Sequence, residues 1–161
     1  MTLFRDGQCE PLKQWPEWAQ TAGFAVCMLF INLAIALAIA PLGFHGASPT
    51  KERMIDQRGI LFAFLFIVIA GPFLETIIGQ WLPLFVGRLA KRPPSIRILW
   101  AACWFSILHI TEGFVTMLQT FGVGWILASC FVFNRDEGWM KAYRVTSIAH
   151  VIHNLVLFLI Y

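Results

Sequence analysis

The chain has 161 residues, 58% of them apolar and 13% charged, with a mean hydropathy of +0.70. Ordinary globular chains carry about 25% charged residues. Here the deficit lies in long blocks, which excludes a water-soluble domain and leaves one membrane domain of four to five spans at about 20 residues each. The net charge of +3 comes from basic residues between those blocks, with no long cationic run, so nucleic-acid binding is excluded too.

Residues 1–20 read as a polar arm, cytoplasmic or lying on the membrane surface, in which Trp15 and Trp18 are interface anchors. The remainder, 21–161, reads as a single transmembrane domain. A first uncharged span is expected from about Thr21 to Leu42. Its Ala36–Ala40 end resembles a signal-peptidase site, but the apolar run exceeds the 7–15 residues of a signal sequence, so the span is expected to be retained. Residues 43–58 are expected to form a polar loop, with His45 in water.

The second span, from about Gly59 to Phe85, contains Gly71-Pro72-Phe73-Leu74-Glu75-Thr76. An ionisable group at membrane depth costs about 2.5–3.5 kcal/mol, so Glu75 implies a partner or a task. Pro72 lacks an N–H and crowds the carbonyl of Val68, so this helix should kink or open there, with the freed groups satisfied by protein or a cavity.

Residues 86–97 form the most basic stretch, with Arg88, Lys91, Arg92 and Arg97. A third span from Ile98 reaches His109 and then Glu112, which is expected to mark the outer interface. A fourth span covers about Phe114–Phe133, where Gly122 and Gly124 permit close helix contact. Asn134–Arg144 is expected to be a charged loop. The last span, Val145–Tyr161, contains His150, His153 and Asn154, with His153 expected to serve packing or support. The four cysteines, Cys9, Cys27, Cys103 and Cys130, form no C-x-x-C pair and read as small apolar fillers.

Nine of the twelve Lys/Arg residues fall in the arm, the 86–97 stretch and the 134–144 stretch, which places the N-terminus in the cytoplasm. Counted from those cytoplasmic ends at 1.5 Å per residue, Glu75 lies about 16 Å deep, His109 about 17 Å and His150 about 9 Å. One pocket can therefore hold all three, near the midplane or in the cytoplasmic half.

The chemistry of these groups is that of an amide hydrolase without a covalent nucleophile. A carboxylate in an apolar pocket can take a proton from water, an imidazole can orient that water, and a His/Asn pair at i, i+4 can donate to an oxyanion. Neither G-x-S-x-G nor H-E-x-x-H is present.

Glu75-Thr76-x-x-x-Gln80, Phe105-x-x-x-His109 and His150-x-x-x-Asn154, in that order on three apolar segments, resemble the CAAX protease and bacteriocin-processing (CPBP, or Abi) family of intramembrane endopeptidases. The resemblance covers about residues 70–161. It implies an all-α bundle of about five transmembrane helices, the second one kinked. It implies that Glu75 and His109 activate water and that His150 and Asn154 form the oxyanion hole, with Thr76, Gln80 and Phe105 in support. The family motif E-E-x-x-x-R departs here to Thr76 and Gln80, exchanging a buried ion pair for a neutral one.

No cofactor is favoured; zinc held by Glu75, His109 and His150 is the alternative. The expected partners are a peptide or protein substrate, membrane lipid, and a second copy or membrane partner closing the pocket of this short chain. The expected site of cleavage is near the cytoplasmic side of a bacterial inner membrane. A catalytically inactive scaffold binding a partner through the same pocket is the rival reading, and a proton-relaying transporter subunit the second. A prenylated CAAX tail, a bacteriocin leader and a membrane-protein tail all stay open as substrates.

Overall fold

The computed structural model describes residues 13–42 and 49–160; His45, Cys9 and most of the expected arm lie outside them. The described residues form helices without strands: α1 (Glu17–Ile39), α2 (Pro49–Arg58), α3 (Ile60–Leu89), α4 (Pro94–Leu108), α5 (Phe114–Arg135) and α6 (Trp139–Ile160), with 3₁₀ turns at Ala40–Leu42 and Ile110–Glu112. Helices α1, α3, α5 and α6 are long and apolar enough to cross a membrane. Helix α4 is apolar but has 15 residues, about 22 Å at 1.5 Å per residue, short of a hydrocarbon core of about 30 Å. The protein is an all-α membrane bundle.

Two connections differ from the sequence reading. Residues 49–58, expected as loop, form the 10-residue helix α2, about three turns. Pro49 starts the helix, and Lys51, Met54 and Ile55 are half-buried along one face, a stripe too short to register as a hydropathy block. The expected 134–144 loop shrinks to a turn at 136–138, because Trp139–Arg144 already belong to α6.

Helix α3 is opened at two places, each just before a proline. Its hydrogen-bond ladder widens to the π register over Leu65–Ala70 and again over Thr76–Trp81. In that register Gly71 N–H reaches the Phe66 carbonyl and Leu82 N–H reaches the Ile77 carbonyl. The next donors would be Pro72 and Pro83, which have no N–H, so the carbonyls of Ile67 and Ile78 lose their partners. Each is capped from another helix: Asn154 Nδ2 donates to Ile67 O at 3.0 Å, and Trp104 Nε1 donates to Ile78 O at 3.1 Å. The opening expected at Pro72 is present, and the orphaned acceptor is Ile67 rather than Val68 because the widened ladder shifts the pairing by one residue.

Helices α5 and α6 are central. α5 packs on α1, α4 and α6, and α6 on α1 and the first half of α3. Gly124 lets α5 approach α4, with Ala102 and Phe105 in the space a Cβ would take, and Gly122 does the same toward Ile31 and Ile35 of α1. One core cluster (Leu84, Ile98, Ala101, Ala128, Phe131, Ala142) closes the end that carries the basic turns. At the same end Glu17 ties α1 to α6 by a bidentate pair with Arg144, Nη2 to Oε2 2.6 Å; both groups are about half exposed, so the pair contributes at most about 1 kcal/mol. A second cluster (Ala25, Met28, Phe105, Val123, Leu127, Ala149) lies mid-bundle and floors a cleft. Of the cysteines, Cys130 is a buried filler as expected, whereas Cys27 and Cys103 face outward.

Candidate active site

The cleft has a volume of about 570 Å³. It runs from Phe105, Glu75 and His150 at its floor to Thr50, Glu112 and Phe158 at its mouth. All the mouth residues belong to helix ends opposite the basic turns, so the cleft is reached from the other end of the bundle than the sequence depths suggested. The short α4 accounts for this. It stops at Leu108, and the chain turns through 110–112 at the rim of the cleft. Glu112 stands at this rim and lines the cleft, accepting a hydrogen bond from Thr50 of α2.

Glu75 lies between the two opened stretches of α3. Its carboxylate is 35% accessible and its Oε2 stands 3.6 Å from His150 Nε2. Gly71, one turn earlier, keeps the space beside it free: a Cβ there would come within 2.9 Å of the Phe66 carbonyl and 3.5 Å of Glu75 Oε1. His109 ends α4, with a non-helical backbone (φ −104°, ψ 16°) that carries its ring out of the helix axis. Its Nδ1 donates to the Phe105 carbonyl at 2.8 Å. A carbonyl only accepts, so Nδ1 holds the proton and Nε2 is left as an acceptor.

Phe105 separates the imidazoles. Its ring centroid is 4.9 Å from that of His109 and 5.8 Å from that of His150. The ring is itself held by Gly79 and Gly124, which bring α3 and α5 against it.

On α6, His150 is buried and His153 and Asn154 follow within one turn. Because Asn154 Nδ2 faces the Ile67 carbonyl, its Oδ1 is turned to His153 Nδ1 at 3.0 Å, and that ring nitrogen donates. The supporting role expected of His153 therefore has a definite form: it orients the Asn154 amide.

Glu75, Phe105, His109, His150 and Asn154 all line the one cleft. Thr76 and Gln80 do not. Thr76 is buried with its hydroxyl on the Pro72 carbonyl at 2.7 Å. Gln80 is buried with neither side-chain amide atom partnered within the protein. The departure from the family's first motif thus falls in the packing behind α3, not in the cleft lining. Sequence reasoning missed Asn32 of α1, which lines the cleft; the available signal was a lone amide in an otherwise apolar span. Among the described residues no three His, Cys, Asp or Glu side chains are arranged to hold a metal ion.

No curated protein and no solved structure matches the chain. Residues 57–156 match the family model described as type II CAAX prenyl endopeptidase Rce1-like, which covers more than half of the sequence and all three motifs. That family lies within the CPBP proteases the motifs resemble. The chain belongs to the Rce1-like family of type II CAAX prenyl endopeptidases.

Proposed function

We propose that the protein is an intramembrane endopeptidase in which Glu75 and His109 activate a water and His150 and Asn154 hold the oxyanion. The observation that carries this is the floor of the cleft: a carboxylate, two imidazoles and an amide from three helices meet where one glycine, Gly71, leaves room for a small molecule. A water there can give one hydrogen bond to Glu75 and one to His109 Nε2, the ring atom left as acceptor. Its oxygen attacks the peptide carbonyl while Glu75 takes the proton. The 3.6 Å between His150 Nε2 and Glu75 is too long for a hydrogen bond. The His150 N–H can therefore turn to the developing oxyanion, joined by the second Nδ2 proton of Asn154. Glu75 then returns its proton to the leaving amine as the C–N bond breaks, releasing one amine and one carboxylic acid, which keeps the second proton of the water until it ionises in solvent.

With the basic turns in the cytoplasm, the mouth faces the opposite side of the membrane. Substrate then reaches the site from the extracytoplasmic face, under α2, whose Lys51 Nζ lies 2.9 Å from the Phe158 carbonyl across the rim.

The test is cleavage of a diverse peptide library, in lipid, by wild type and Glu75→Gln, each with and without chelator. Cleavage lost in Glu75→Gln and untouched by chelator is the expected result. Chelator-sensitive cleavage restored by zinc would replace the water-activation scheme with a metal-dependent one. Folded wild type that binds peptides and cuts none would turn the reading to a binding scaffold.

A further inference from the structure

Two buried polar side chains in the cleft are left over by the chemistry above. Asn32 is 8% exposed and lines the cleft from α1, outside the residues matched to the family, and its Oδ1 has no partner. His153 is 4% exposed and lines the cleft from α6, and its Nε2 has no partner. Both atoms are acceptors. Asn32 Oδ1 is one by nature, and His153 Nε2 is one because Nδ1 donates to Asn154. A buried acceptor without a donor costs about 1–3 kcal/mol. Two such buried acceptors, on residues of packed helices that line the same cleft, are therefore suited to a ligand that brings donors.

Resting on the peptidase reading, we infer that Asn32 and His153 form a subsite that accepts backbone N–H groups of the substrate beside the scissile bond. The consequence is a restriction on substrate conformation. Inside a helix every N–H is already used by the carbonyl one turn back, so a helical substrate offers this pair nothing. An extended segment offers one N–H per residue. The cleft thus takes substrate as unwound chain and rejects an intact transmembrane helix. A terminal carboxylate is also turned away from this pair, since it too only accepts.

The experiment measures binding of one library-derived peptide, and of versions carrying a single backbone N-methyl at each position, to Glu75→Gln protein in nanodiscs. N-methylation removes one donor and leaves the side chains alone. At one or two positions it is expected to weaken binding about tenfold, the effect of one lost hydrogen bond. That penalty is expected to vanish when Asn32→Leu or His153→Phe is added, each of which weakens the unmethylated peptide by a similar factor. His153→Phe carries the test if Asn32→Leu fails to fold, and the reverse.

A methylation penalty that persists unchanged in both backgrounds, or that occurs at no position, overturns the subsite and assigns those acceptors to bound water. The separate cleavage assay keeps the two readings apart. Peptide bound with the expected methylation pattern but never cut by wild type sinks the peptidase and leaves the subsite. Peptide cut by wild type with methylation-insensitive binding sinks the subsite alone. No binding by any peptide overturns both.

Discussion

Phe105 shows how much of the site rests on groups that do no chemistry. Its ring fixes the separation of the two imidazoles, and Gly79 fixes the ring: a Cβ at that position would fall 2.6 Å from Phe105 Cδ2. Gly79→Ala gains about 1 kcal/mol in helix propensity, yet overpacking costs about 1–3 kcal/mol, so a modest net loss of stability is expected in thermal unfolding in detergent. The larger effect should be on turnover. A ring displaced by half an ångström or more moves both histidines, and kcat should fall by at least about tenfold with the protein still folded. Unchanged kcat would mean that the imidazoles are held independently of Phe105. Gly71→Ala acts on the other side of the site. Its methyl would fill the space beside the Glu75 carboxylate, and water attack should be lost with peptide binding largely kept.

At the scale of the element, α3 is built around two prolines whose missing donors are replaced from neighbouring helices. Asn154→Leu should destabilise the protein by about 1–3 kcal/mol, because the half-buried Ile67 carbonyl then loses its donor. Adding Pro72→Ala returns an N–H in the right register and should recover much of that loss. Trp104→Phe and Pro83→Ala should behave as a second, independent pair. Unfolding midpoints of the two double-mutant cycles check this, and strict additivity within each pair would refute the capping account. Activity should not return in Asn154→Leu/Pro72→Ala, since the proposed oxyanion donor is still missing. This separates the structural duty of Asn154 from its proposed chemical one.

At the scale of the molecule, the bundle is solid at the end with the basic turns and hollow at the other. Cysteine-free protein carrying a single cysteine at position 91 or 113 would show which face is which. In intact cells a membrane-impermeant thiol reagent should label 113 and leave 91 until the membrane is opened. Labelling of 91 alone in intact cells would reverse the orientation and bring the mouth to the cytoplasm. Either result leaves the cleft geometry untouched, because orientation depends on the Lys/Arg distribution and the cleft on helix packing.

The primary structure by itself determined the all-α membrane class, the approximate spans and the family, because hydropathy blocks, proline positions and i, i+4 motifs are local quantities. It also put Glu75, His109 and His150 at compatible depths, since rise per residue is nearly constant in a helix. Tertiary structure alone decided the rest. Which way a side chain turns depends on the register of its helix, and the π widening in α3 changes that register by an amount no periodicity announces. Thr76 and Gln80 are buried in the packing while Glu75 lines the cleft. The cap on Ile67 and the tautomer of His153 require α3 and α6 to meet, and Asn32 joins the site only because α1 packs on α5 and α6. The direction of the mouth follows from one helix being too short, an effect visible only once its neighbours stand beside it.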